Sequence, residues 1–481
     1  MLITRRPRRG VFALPVVAAV LLSGVVVSSP SLQTRGAQTA APQMERAAAI
    51  VLDGKPWDLK PGETRRGDLG TSTGHTTTKQ RVTLSSGQGI SVEVRLREST
   101  AGYYAVRLYQ AKDGQRWINA ERVVAGKRAT LKSVKLANAP ATSQSLWLSA
   151  EVQNEPSGDR IWASAWDAAG ARPAEQISHL DRPALPRAAP AKTSIQATAN
   201  AANTGPVKVT LGEPQFKDVD ETVLTPGTWG SPAFRTDFPT GAANPLTGWT
   251  VRNDTYVGYD VGYVKASNVE IRDGAAILST RKVDTPWVMK DGVKRYYSTA
   301  YMDTDTTFSQ AYGRWEMRAK LPTVKQKSKG IWPAFWLRPV DKGTGELDIM
   351  EAYGTPKTVH NASETNSLAT VHYGTMAGEN RTHTVGFTPK EIDVNDGRFH
   401  TWTLEWTPKG VTFFVDGKAY FTQLRGANPT WDALYQSGRK YSIRLNVQAG
   451  SEYAGQPNDK DTAPHTEYVV DHVRAWSYKA G

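Results

Sequence analysis

The sequence predicts an all-β protein of two β-sandwich domains, and three observations lead to this prediction. Segments of alternating apolar and polar residues, typical of half-buried strands, recur from about residue 80 to the C-terminal end. No long amphipathic helical pattern competes with them. A stretch rich in Ala, Pro and Thr, residues 182–206, divides a shorter unit from a longer one and predicts an extended linker between two domains.

The N-terminal residues predict export. The cationic "MLITRRPRRG" is followed by the apolar "VFALPVVAAVLLSGVVV", a pattern typical of a secretory signal peptide, which we place at residues 1–41. An uncleaved membrane anchor is the alternative, although a membrane span needs about 20 apolar residues. We therefore expect a secreted, extracellular protein that is not attached to a membrane once the signal peptide has been removed.

Composition excludes several classes of function. The chain has 481 residues, of which 39% are hydrophobic, and this is enough for two cores. Its formal net charge is +13, but five arginines lie in the first 41 residues and no compact Lys/Arg stripe follows, so we expect no nucleic-acid partner. The absence of cysteine excludes disulfides, thiolate metal sites and a cysteine nucleophile.

The first predicted domain spans residues 45–181. Its segments "ISVEVRLRE", "YYAVRLYQA" and "SLWLSAEVQ" alternate in polarity and are separated by turns such as "KDGQ" and "PSGD", which predicts a smaller β-sandwich. Its end, "RIWASAWDAAGARPAEQISHLD", resembles the closing strands of modules that are often appended to secreted bacterial enzymes. Its role stays open between carbohydrate binding and that of a spacer or wall-proximal module.

The second predicted domain spans residues 207–481 and contains ten of the 15 tryptophans. Its most informative segment is "GELDIMEAYG". On a strand, Glu346 and Asp348 share one face, whereas Glu351 would point to the opposite face. A β-bulge at about Ile349–Met350 would return Glu351 to the face of the other two acids, and bulges are over-represented beside active sites.

Three carboxylates in one row suit glycoside hydrolysis with retention of configuration. That reaction uses two carboxyl groups about 5–5.5 Å apart, one as nucleophile and one as general acid/base. A third carboxylate between them can help to hold the two in different protonation states. An exposed acidic edge and a calcium site are the alternatives that the spacing alone leaves open.

The neighbouring segments offer candidate substrate contacts. In "GIWPAFWL", Trp332 and Trp336 share a strand face, and indole rings are good platforms for the apolar faces of sugars. Both could instead be core residues, because Trp is mostly buried. His372 in "ATVHYG" lies on a predicted neighbouring strand, although a lone histidine is more often structural.

From about Gly248 to Trp476 the chain resembles glycoside hydrolase family 16. The resemblance rests on "NVEIRDGAAIL", "YGRWEMRAKLP", "GIWPAFWL", "GELDIMEAYG", "ATVHYG", "HTWTLEWTPKGVTFFVDGK" and "VVDHVRAW". The acidic motif is similar to the bulged, six-residue form of laminarinase-like members. The resemblance implies a concanavalin-like jelly roll with a substrate cleft on its concave face.

The resemblance also implies roles for individual residues. Glu346 would be the nucleophile, Asp348 its assisting neighbour and Glu351 the general acid/base. Trp332 and Trp336 match positions that line the cleft, and His372 matches a histidine beside the acid/base. Asp471 matches a ligand of a structural calcium ion. Catalysis by two carboxylates needs no cofactor.

These observations predict a secreted, monomeric endo-β-glycosidase that hydrolyses a β-linked polysaccharide with retention. β-1,3-Glucan is one candidate substrate, but "NDTYVGYDVGYVKASNV" and "STAYMDT" replace segments that usually carry sugar-binding residues in laminarinases, so the substrate stays open. The alternatives are a polysaccharide transglycosylase and a non-catalytic lectin on the same fold.

Overall fold

The structure is a computed structural model that describes residues 55–85, 89–136, 145–186, 191–219, 229–256, 260–354, 362–373, 383–428, 430–436, 438–451 and 453–479. The predicted signal peptide, residues 1–41, lies outside the described residues. No helix in the described ranges is long and apolar enough to cross a membrane.

The first domain is a sandwich of two antiparallel sheets, as predicted. Its strands are β1 (Trp57–Leu59), β2 (Thr64–Ser72), β3 (His75–Leu84), β4 (Ile90–Ser99), β5 (Gly102–Gln110), β6 (Arg116–Val124), β7 (Lys127–Lys135), β8 (Ser145–Glu155), β9 (Gly158–Asp167), β10 (Ile177–Asp181), β11 (Ala191–Ala199), β12 (Val207–Leu211) and β13 (Gln215–Val219). One sheet has the order β1-β12-β3-β8-β9-β10, with β13 also paired to β3, and the other has the order β2-β11-β4-β5-β6-β7. Apolar residues that alternate along these strands form a core between the two sheets.

The predicted linker at residues 182–206 is wrong over much of its length. Strand β11 lies inside the second of these sheets, between β2 and β4, and its residues Thr193, Ile195, Ala197 and Ala199 are fully buried. Small side chains at alternate positions fit a sheet interior, so an Ala/Thr-rich segment can form a central strand. Because β12 and β13 also pair within this sandwich, the first domain extends to Val219 and not to residue 181.

The second domain is also nearly all strand. Its strands are β14 (Phe234–Thr236), β15 (Thr250–Val251), β16 (Gly262–Val264), β17 (Val269–Arg272), β18 (Ala275–Val288), β19 (Lys294–Asp303), β20 (Ser309–Gln310), β21 (Gly313–Lys320), β22 (Ile331–Pro339), β23 (Glu346–Glu351), β24 (Leu368–His372), β25 (His383–Phe387), β26 (His400–Thr407), β27 (Gly410–Val415), β28 (Lys418–Leu424), β29 (Tyr441–Ala449) and β30 (His465–Ser477). Two short helical turns, Ala266–Asn268 and Asp432–Gln436, interrupt the strands.

These strands form the two layers of a jelly-roll sandwich. Strands β19-β29-β22-β23-β24-β25 are neighbours in one layer, and β17-β18-β30-β21-β26-β27-β28 are neighbours in the other. Apolar side chains from both layers, such as Phe335 and Leu347 in the first and Trp315 and Trp402 in the second, form one continuous core. Polar residues at the alternate positions of the first layer therefore lie on its outer face.

Candidate active site

The predicted β-bulge is present on β23. In the pairing with β24, Asp348 lies opposite Thr370 and Glu351 lies opposite Leu368, so three steps on β23 match two steps on β24. In the pairing with β22, Met350 and Asp348 lie opposite consecutive residues, which leaves Ile349 unpaired. The extra residue restores the parity that the sequence lacks, and it places all three carboxylates on the outer face of the layer.

The bulge is held in place by the core beneath it. Leu347, Ile349 and Met350 are all fully buried and belong to the central apolar cluster. Because β23 is paired on both sides, by β22 and β24, the acidic row does not lie on an exposed sheet edge. This finding excludes the exposed-edge interpretation.

At one end of the row, Glu346 is surrounded by polar side chains from the two neighbouring strands. Arg338 on β22 donates a hydrogen bond from Nη1 to Glu346 Oε2 at 2.9 Å, and His372 Nε2 lies 3.5 Å from Oε1. The hydroxyl of Tyr435 supports the backbone here, because its one proton is shared between the carbonyl oxygens of Glu346, at 3.1 Å, and of His372. Burial raises the pKa of Tyr435 well above its ordinary value, so this hydroxyl stays a neutral donor.

In the middle of the row, Asp348 pairs with the predicted histidine. His372 Nε2 lies 2.7 Å from Asp348 Oδ2, and the cross-strand register that places Glu346 opposite His372 brings these side chains together. Ligand-type atoms of Glu346, Asp348 and His372 lie within 4.8 Å of one another, a spacing that could also suit a cation. The two-carboxylate reaction does not require one.

At the other end of the row, Glu351 meets neutral donors. Trp332 Nε1 donates to Glu351 Oε1 at 3.0 Å, and the hydroxyl of Thr370 donates to Oε2 at 3.5 Å. The two glutamates therefore meet different side chains from the neighbouring strands: Glu346 meets the guanidinium of Arg338, and Glu351 meets the indole N–H of Trp332 and the hydroxyl of Thr370.

The two predicted tryptophans differ in their surroundings. Trp332 packs with Tyr353 and Leu368 in a small apolar cluster on the outer face, and its ring meets Tyr453 edge to face. Trp336 is partly exposed; its Nε1 donates to Asn446 Oδ1 at 2.6 Å, and the guanidinium of Arg444 lies 5.1 Å from its ring. Both lie beside the carboxylates and outside the main core, but Trp332 is only 8% exposed, so only Trp336 offers a partly free ring.

The donor set around Asp471 does not fit the implied calcium ion. Asp471 lies on β30 in the opposite layer, where Arg318 Nη1 donates to its Oδ2 at 2.7 Å and His472 Nδ1 lies 3.4 Å from the same oxygen. Calcium is bound by several oxygen ligands, and here cationic nitrogen groups occupy the carboxylate. The resemblance predicted a calcium ligand at Asp471, but it did not predict that the guanidinium of Arg318 lies beside this carboxylate.

Sequence reasoning missed three residues of this site. Arg338 could have been found, because it follows Trp332, Ala334 and Trp336 at the same strand parity. Tyr435 and Asn446 gave no local signal, since a short helical turn and strand β29 bring them to β23 and β22 from about 90 and 110 residues away in sequence.

Comparison with known proteins identifies the family of the second domain. Residues 260–470 match the family model described as "Glycosyl hydrolases family 16". The second domain belongs to glycoside hydrolase family 16. As a member of this family, the chain is an enzyme that hydrolyses O-glycosyl bonds.

Individual relatives of the family 16 domain are moderately similar. A "Beta-glucanase" of Rhodothermus marinus is 29% identical over 244 residues, which cover 46% of this chain and 78% of that protein. A "Glucan endo-1,3-beta-glucosidase" of Cryptopygus antarcticus is 28% identical over 233 residues, which cover 44% of this chain and 78% of that protein. The laminarinase catalytic domain of Thermotoga maritima MSB8 aligns with a TM-score of 0.43 and 23% identity over 52% of this chain and 99% of that structure.

Proposed function

We propose that this protein is a secreted endo-β-glucanase that hydrolyses its polysaccharide with net retention, with β-1,3-glucan as the first substrate to test. The observation that carries this proposal is the bulged strand, which turns Glu346, Asp348 and Glu351 onto one face and gives the two glutamates different partners. The β-glucanase and endo-1,3-β-glucosidase named above support the choice of substrate.

The reaction takes two steps at this site. In the first, the carboxylate of Glu346 attacks the anomeric carbon while Glu351 donates a proton to the departing glycosidic oxygen. In the second, Glu351 removes a proton from water, the water oxygen bonds to the anomeric carbon, and the bond to Glu346 breaks with its electron pair returning to the carboxylate. Asp348, paired with His372, stabilises the charge distribution between the two glutamates.

The decisive experiment compares the purified wild-type chain with Glu346→Gln, Glu346→Ala and Glu351→Gln on a panel of soluble β-glucans and galactans. We expect each substitution to reduce kcat at least about 10³-fold, because each removes a participant in bond making. Proton NMR of the first product should show a β-anomer. Full activity in any of the three variants, or an α-anomer as first product, would contradict the proposal.

Product sizes separate hydrolysis from transglycosylation. At high acceptor concentration a transglycosylase forms chains longer than the substrate, because a sugar hydroxyl replaces water in the second step. We expect cleavage at bonds inside the polymer, so that only chains shorter than the substrate are formed.

Sequencing the N-terminus of exported protein would test the predicted removal of residues 1–41.

A further inference from the structure

Arg338 is placed against Glu346 by the strand register. The pairing of β22 with β23 ends with Leu337 opposite Leu347, so the next residues, Arg338 and Glu346, face one another across the strands. Their side chains lie on the outer face with Trp336 and Asp348. The guanidinium Nη1 lies 2.9 Å from Glu346 Oε2, and the two side chains are only 13% and 10% exposed.

From this geometry we propose that Arg338 is a positioning residue for the nucleophile, which orients the Glu346 carboxylate for attack and stabilises it as the leaving group of the second step. The inference rests on the proposed function of Glu346. Other groups facing this carboxylate are His372 on β24, Asp348 on its own strand and the Tyr435 hydroxyl at its backbone. Among them Arg338 carries a charge that does not depend on pH in the working range.

The charge changes of the reaction make the two steps respond differently to this arginine. Glu346 is an anion in the free enzyme and becomes a neutral ester in the glycosyl-enzyme intermediate. In the second step the bond between the anomeric carbon and Glu346 breaks, the electron pair goes to the carboxylate, and negative charge develops beside the Arg338 guanidinium. A donor that is already in place where charge develops lowers that barrier without reorganisation. Loss of Arg338 should therefore slow release of the intermediate more than its formation.

The test uses the full chain with Arg338→Gln, Arg338→Met and Arg338→Lys on a nitrophenyl β-oligoglucoside, whose good leaving group makes the first step fast. We expect kcat of the two neutral variants to fall about 10- to 100-fold, the range that loss of a hydrogen bond to a charged group corresponds to. In these variants KM should fall together with kcat. Nitrophenol should appear in a burst of about one equivalent per enzyme, and mass spectrometry should detect a glycosyl adduct on the protein. Arg338→Lys should recover part of kcat. Arg272→Gln, which breaks an ion pair with Glu467 in the opposite layer, is the matched control and should keep wild-type kinetics.

The possible results distinguish this inference from the proposed function. Two neutral variants are used so that the test still holds if one of them fails to fold. Thermal unfolding shows whether each variant is folded. Folded neutral variants with wild-type kcat, or with a lower kcat but no burst and an unchanged KM, would overturn the role of Arg338. Equal losses in Arg338→Lys and Arg338→Gln would also overturn it, because the charge would then have no part. A wild-type chain that cleaves no β-glycoside would overturn the proposed function itself, and this inference would fall with it.

Discussion

At the scale of single residues, the protein sets the behaviour of a titratable group through the side chains that the neighbouring strands supply. Glu346 and Glu351 belong to the same six-residue strand, yet one meets the guanidinium of Arg338 and the other meets the indole of Trp332. Two identical side chains on one strand thus meet different partners, because the neighbouring strands place different residues beside them.

The partners of His400, at the start of β26 in the opposite layer, shift its pKa and thereby affect the stability of the fold. Its Nδ1 lies 2.8 Å from Asp416 Oδ2, and its Nε2 lies 3.2 Å from Asp396 Oδ1. Burial alone would lower the pKa of His400, but the charge of Asp416 and the hydrogen bonds to both aspartates outweigh burial and raise the pKa from 6.5 to about 10. The imidazolium is therefore the form that the folded state favours.

We predict that His400 makes stability depend on alkaline pH. Since its pKa is higher in the folded chain than in the unfolded chain, its contribution is complete below pH 6.5 and is lost as the pH rises toward about 10. The slope that one such proton gives is at most about 1.4 kcal/mol per pH unit. Urea unfolding of wild type and His400→Gln at pH 6, 8 and 9 measures this, and the stability difference between the two should shrink as pH rises. A difference that stays constant across the three pH values would contradict the prediction.

At the scale of elements, the bulge on β23 keeps Glu351 on the face of Glu346 and Asp348. Deletion of Ile349, which has no partner in the pairing with β22, would give a regular strand in which Glu351 still lies opposite Ala334 and Leu368.

We predict that this deletion leaves a folded domain with kcat/KM reduced at most about 100-fold, because Glu351 keeps its face and its register and a displacement of about 1 Å in a catalytic group costs about that much. Circular dichroism and thermal unfolding check the fold, and activity on the best substrate of the panel gives the rate. Ile349→Val, which keeps the residue count, is the matched control and should retain most of the activity. A loss as large as that of Glu351→Gln would show that the extra residue, and not the register alone, positions Glu351.

At the scale of the whole molecule, the two sandwiches contact one another through buried polar groups. Glu151 on β8 binds the guanidinium of Arg398 with both carboxylate oxygens, and Arg398 is only 10% exposed. Next to this pair, the side-chain amide of Gln153 donates to the Phe399 carbonyl at 2.8 Å and accepts from the Phe399 N–H at 3.0 Å. Such contacts join the first domain to the layer that lies opposite the active site.

We predict that Glu151→Ala lowers the free energy of unfolding by about 1.5–3 kcal/mol, because Arg398 loses two buried hydrogen bonds to a carboxylate but keeps its ion pairs with Glu175 at 3.2 Å and Asp396 at 3.3 Å. Arg182→Gln breaks another contact between the domains, the pair of Arg182 with Asp273 at 3.0 Å, but both of these side chains are about half exposed. This control should cost no more than about 0.5 kcal/mol. Urea unfolding of the full chain compares the two variants, and equal effects would show that the buried pair does not brace the domains.

The sequence by itself determined the fold class and the strand faces, and it predicted the chemistry that we propose for the acidic row. These properties follow from local periodicity: alternation along β22 and β23 assigns each side chain to a face, and the parity fault at Glu351 predicts the bulge that the structure contains. The resemblance added the jelly roll and the roles of the three carboxylates.

Only the tertiary structure decided which partners these residues meet. In the structure, part of the predicted linker forms the central strand β11. Arg338 lies against Glu346, and Trp332 lies against Glu351. Arg318 donates a hydrogen bond to Asp471. The physical reason is that pairing between distant strands depends on hydrogen bonds and side-chain packing across the whole sheet, whereas sequence periodicity reports only the face on which a residue lies.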